Sequence, residues 1–163
     1  MRRLSFRTLL ILLLGISTCT PSALQVQARL ANSIALGGNR TLPLLVDAYR
    51  SEGLRIIAQA HESGQSRSVA EQRLAAHTDA WRPVWGDCDE NTGQCQGGAW
   101  PALRAAHEAW ASALEQQISG QPLDLASATQ HAQNMQRAYC ALRSAVPSPT
   151  RDSIPQIPGA PCP

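Results

Sequence analysis

Five cysteines, four histidines and four tryptophans are the side chains of this 163-residue chain with the most chemistry to offer. A cysteine serves as nucleophile, metal ligand or half of a disulfide, and spacing separates the three roles. With Cys19 set aside, Cys88, Cys95, Cys140 and Cys162 form an even set that allows three pairings. No CxxC occurs, so a tetrahedral zinc site is the weaker reading. Cys88 and Cys95 are neighbours in a Gly-rich loop and are paired, which leaves Cys140 for Cys162. Loop-closure entropy assigns the short ring roughly 2.5 kcal/mol and the longer one about 3.4 kcal/mol.

Trp81-Arg82-Pro83-Val84-Trp85 places two indoles four residues apart, on one helix face. If the next helix folds back as a hairpin, Trp110 lies at a matching depth and His77 meets His107. The first reading is a core cluster, each indole burying roughly 150–250 Å². The alternative is a binding platform of Trp81, Trp85 and Trp110 with His77 and His107, suited to a sugar ring or a partner. Asp87, Asp89 and Asn91 alternate like the start of an EF-hand loop. Thr92 stands where that loop needs glycine, however, and Gly98 where it needs glutamate. His107-Glu108 lacks the second histidine of a zincin, because Ala111 occupies its place. No Glu-x-x-His, G-x-S-x-G, phosphate loop, dinucleotide fingerprint or CxxCH is found. The expectation is therefore no catalytic residue, no metal and no cofactor, in a protein that is not an enzyme.

At the N-terminus, Arg2, Arg3 and Arg7 flank an apolar run over residues 9–16 that leads to Cys19. This is the layout of an export signal, and about eight apolar residues fall far short of the roughly 20 that span a bilayer. Ile16-Ser17-Thr18-Cys19 resembles the lipobox of bacterial lipoproteins. That resemblance implies lipidation of Cys19 and a membrane anchor, although Thr18 departs from the small residue usual before the cysteine. Val26-Gln27-Ala28 has the spacing of an ordinary signal-peptidase site, and both cuts stay open. Thr20 rather than aspartate follows Cys19, which favours an outer-membrane destination. The expected location is thus exported, either periplasmic or as an outer-membrane lipoprotein.

The formal charge of +2 includes the three signal arginines. Without them 11 arginines face 12 acidic residues, so nucleic acid is not an expected partner. The absence of lysine and the 25 alanines reflect composition bias.

Apolar residues recur at three- and four-residue steps from Leu42 to Val146, and alternating segments are lacking. The predicted fold is all-α: an up-and-down antiparallel bundle of about four to five helices with a proline-rich C-terminal tail. The expected divisions are an export signal over 1–23, a helical domain over 24–146 and the tail over 147–163. A first helix should stop at Gly37-Gly38, and Thr41 should cap a second with Pro43 in its first turn. Ser68 and Glu71 form a capping-box pattern for the next. Six prolines among the last 17 residues predict an extended, polyproline-like tail, stapled back through Cys162.

W-R-P-V-W followed by A-H-E-A-W-A-S-A-L-E, within residues 81–115, resembles a pattern in small uncharacterised helical proteins of phages, prophages and high-GC bacteria. Here it is split by the Cys88–Cys95 insertion, and it implies a helical hairpin without an activity. An acylated N-terminus with a proline-rich tail is also similar to spanin subunits of phage lysis, which are shorter and lack a helical domain. The expected function is that of a non-enzymatic cell-envelope protein acting through contact with another envelope protein. The alternatives are a periplasmic small-ligand or metal-binding module built on the Trp/His hairpin, or a spanin-like lysis protein.

Overall fold

The computed structural model describes residues 21–89, 92 and 95–162. The lipobox-like residues 16–19 and Asn91 of the EF-hand-like run lie outside them. Four helices carry the fold: α1 (Ala23–Glu62), α2 (Arg67–Trp85), α3 (Ala99–Ile118) and α4 (Leu125–Ala145). They pack together as the expected all-α bundle. The strands among the described residues are a two-residue pair, Asp87–Cys88 against Cys95–Gln96. No helix among the described residues is long and apolar enough to cross a membrane.

The largest departure from expectation is α1, a single 40-residue helix that runs through Gly37, Gly38 and Pro43. Packing explains the glycines. A Cβ on Gly37 would stand 2.6 Å from Ile157 Cδ1, and one on Gly38 would stand 3.1 Å from Leu103 Cδ2. The tail and α3 press against the α1 backbone at these points, so the glycines are contacts, not stops. Thr41 is buried within the helix instead of capping it, and its hydroxyl donates to the Gly37 carbonyl at 2.8 Å. A proline in a helix interior costs about 3 kcal/mol. Burial of Ala31, Ile34, Leu45, Ile56 and Ala60 along the same helix offsets that cost at Pro43.

The caps also differ from expectation. A capping box starts α1: the Gln25 N–H donates to Ser22 Oγ and the Ser22 N–H to Gln25 Oε1, at 3.2 and 3.1 Å. The Ser68–Glu71 box does not form, because α2 begins two residues earlier, after Ser66. Glu71 instead accepts from the Arg67 guanidinium at 2.7 Å, a charged donor one turn away. Asp124 caps α4 by accepting from the Ser127 N–H at 2.7 Å, and that bond holds its carboxyl below the usual range.

α2 and α3 do not fold back on each other. Both run antiparallel to α1, one after the other along its length. Arg73 of α2 donates to Gln59, and His77 reaches Tyr49. Further along, Leu103 of α3 lies against Gly38, and Trp110 donates to Asn32. Their 19 and 20 residues together match the 40 of α1, about 60 Å at 1.5 Å per residue. The Cys88–Cys95 hairpin is extruded at the joint, where Gly86 and Gly98 close the gap. A Cβ on Gly98 would stand 2.3 Å from the Gly86 nitrogen. α4 returns along α3 and α1, and the last turns of α1 pair with α2 as a two-helix arm.

The tail is part of the packed domain. The extended stretch 154–157 turns Ile154 and Ile157 inward, and a turn at Pro158–Gly159, in which the Ala160 N–H donates to the Ile157 carbonyl at 3.0 Å and Gly159 takes φ +80°, brings Ala160 inward as well. All three are buried. The Tyr139 hydroxyl donates to the Pro155 carbonyl at 2.6 Å, and Gln136 Nε2 donates to that of Pro161 at 3.1 Å. Cys140–Cys162 closes the end, with a Cα separation of 5.2 Å. The Ser148–Pro149 peptide is cis. The tail leaves the extended form at a 3-10 turn, Thr150–Ser153. There Arg151 turns back, and its guanidinium donates to the carbonyls of Ser144 and Val146 at the end of α4, both at 3.0 Å.

Two glycines of α1 respond oppositely to alanine. At Gly53 an added Cβ meets His77 at 3.9 Å, an ordinary contact, so Gly53→Ala gains helix propensity. The expected gain is about 0.5–1 kcal/mol, read by thermal melting. Gly37→Ala forces Ile157 aside and is expected to destabilise, and Ile157→Val is expected to recover part of that loss. A double-mutant cycle checks the coupling; strict additivity of the two substitutions would mean that the contact does not form.

Candidate functional site

The ring contacts among the described residues form two clusters. In the first, Tyr49 of α1 stacks on His77 of α2, with centroids 4.8 Å apart and planes at 20°. His77 Nε2–H donates to the Tyr49 carbonyl at 3.0 Å, which sets the tautomer because a carbonyl only accepts. Trp81 meets Tyr49 edge-on at 5.6 Å and stacks on Trp85 at 6.0 Å and 12°. Residues 77, 81 and 85 share one stripe of α2 because helical side chains at i and i+4 overlie each other.

The second cluster belongs to α3 and α4. Trp110 is 1% exposed, tilts against His131 at 5.8 Å, and donates from Nε1 to Asn32 Oδ1 at 2.8 Å. His107 lies one turn away, in a small pocket with Ile34, Gly38, Trp100 and Leu103. The expected platform is therefore not assembled as one surface. Trp81, Trp85 and His77 are together, whereas Trp110 and His107 sit further along α1. The reason is the serial placement of α2 and α3, which sets His77 against Tyr49 and Gly53 and His107 beside Ile34 and Gly38, further back along α1, instead of opposite each other. Trp81, 3% exposed, and Trp110 are core residues.

Comparison with protein families, curated proteins and solved structures gives no match. The chemistry must be read from the surface itself.

A groove of about 680 Å³ lies between the arm and the start of the tail, bounded by Ile56, Arg73, His77, Trp81 and Pro149. Glu52 and Arg55 stand on its rim as an ion pair, and the guanidinium holds the Glu52 carboxyl below its usual range. A second groove, of about 560 Å³, lies at the joint of α2 and α3. Trp85 and Trp100, both half-buried, line it with Pro101, Arg104 and Glu108. Arg104 donates to Glu108 at 2.8 Å. Trp85 Nε1 is buried and has no acceptor among the described residues. Trp100 was not among the sequence candidates, because its place beside Pro101 at a helix start reads as a boundary residue. Its proximity to Trp85 depends on the Gly86–Gly98 closure.

The acidic loop is engaged locally. Asp87 pairs with Arg82 at 3.4 Å, and Asp89 accepts from the Thr92 N–H at 3.0 Å. Among the described residues no group of three histidine, cysteine, aspartate or glutamate side chains could hold a metal ion. Both disulfides, Cys88–Cys95 and Cys140–Cys162, are formed as paired from the sequence.

Proposed function

We propose that the chain is a non-enzymatic, exported cell-envelope protein that acts through protein–protein contact and is anchored by an acylated Cys19. The observation that carries this reading is the pair of disulfides, since such bonds persist in oxidising compartments. The start of α1 supports a cut before Cys19. That cut keeps the Ser22–Gln25 capping box, whereas a cut after Ala28 would remove the cap and the first turn of the helix. The arm supplies the contact surface: Leu54 is 67% exposed, Ile57 50% and Val69 39%.

Expression in a double-membraned bacterial host tests this reading. The expected product has an intact mass that begins at an acylated Cys19, partitions into detergent and carries both disulfides. A mass beginning at Leu24 or Arg29 in the aqueous phase removes the anchor, and retention in the cytoplasm with free thiols overturns export. A photo-crosslinking residue at position 57 is expected to trap an envelope protein, and Leu54→Glu to abolish the adduct.

A further inference from the structure

The four tryptophans divide evenly: Trp81 and Trp110 are buried in the core, while Trp85 and Trp100 are half-buried and line one groove. The two tryptophans that are not buried therefore meet at the joint between α2 and α3. The joint is built to hold it there. Trp85 immediately precedes Gly86 and Trp100 follows Gly98 by two residues, and these glycines approach so closely that a Cβ on either would meet backbone at 2.3 Å. One side of Trp85 is braced by its stack on Trp81, and the Cys88–Cys95 bond closes the hairpin above. A core needs no such convergence at its edge.

We propose that this groove binds a neutral carbohydrate, with pyranose rings laid on Trp85 and Trp100. A sugar ring is amphipathic: its C–H faces suit indole, and its hydroxyls each donate and accept. Arg104 and Glu108, one helical turn apart and both exposed, supply donors and acceptors at the rim with no net charge between them. That balance selects against an ionic ligand. A proline-rich peptide would offer backbone carbonyls but few N–H groups, so it would engage Arg104 and make little use of the Glu108 carboxylate. The site does not include Leu54, Ile57 or Val69 and is independent of the envelope reading.

The test is nuclear magnetic resonance of the indole N–H signals in the intact oxidised protein. The probes are chitotriose, maltotriose and cellotriose, with decaproline as the peptide comparison. At concentrations up to roughly 10 mM at least one sugar is expected to shift the Trp85 and Trp100 signals and leave Trp81 and Trp110 in place. Trp100→Ala is expected to weaken binding about tenfold or more, as is Arg104→Ala, whose side chain is too exposed to be needed for folding. Circular dichroism reports whether each variant is folded. No shift with any sugar, shifts that survive both substitutions, or a response to decaproline alone would overturn the proposal.

Discussion

Trp110→Ala is expected to destabilise the protein by about 3–5 kcal/mol, the range for removing a buried indole. The side chain is 1% exposed and stands where α1, α3 and α4 meet, hydrogen-bonded to Asn32 and packed on His131. The Asn32 amide lies at the surface and recovers its bond from water, so the loss is mainly of packing. Trp110→Phe refills most of the volume and is expected to cost clearly less. Urea unfolding of both variants, read as a change in midpoint at constant slope, measures the difference. Since a domain of this size is held by roughly 5–15 kcal/mol, the alanine variant should be marginal. A midpoint unchanged by Trp110→Ala would place this indole outside the core.

Removing residues 147–163 is expected to have a larger effect still. The buried isoleucines at 154 and 157 represent about 1.5–3 kcal/mol each, and the Cys140–Cys162 bond adds about 3 kcal/mol. Their loss approaches the whole stability of the domain, so the shortened chain is expected to melt without a cooperative transition. Two milder variants separate the contributions. Cys162→Ser keeps the isoleucines and should lower the melting temperature while leaving the transition sharp. The double substitution Ile154→Ala with Ile157→Ala keeps the staple and should lower it further. A truncated chain that melts cooperatively at the full-length temperature would show that the tail is an appendage.

The helical class of the fold was legible because burial has a period. Ala128, Ala132, Met135, Tyr139 and Leu142 recur on one face of α4 and are buried together. The cysteine pairing was legible for a related reason: a bridge between Cys88 and Cys95 depends on local chain, and even counting assigns the remaining two. Local breakers misled wherever a distant segment used them. Gly37 and Gly38 read as a stop, yet Ile157 and Leu103 need the missing Cβ atoms, and those partners lie more than 60 positions away in the sequence.

The sequence by itself determined the helical class and the two disulfides, because burial periodicity and cysteine spacing are set along the chain. Only the tertiary structure decided that α2 and α3 lie in series instead of as a hairpin. That choice turns on Gly86 meeting Gly98 across the extruded loop and on α1 staying continuous through Pro43. It carries Trp110 and His107 away from Trp81 and His77, and brings Trp100 to Trp85. A helix face can be read from periodicity, but which faces meet depends on the direction in which each loop returns the chain. That direction is set by close backbone contacts between residues that carry no side chain to announce them.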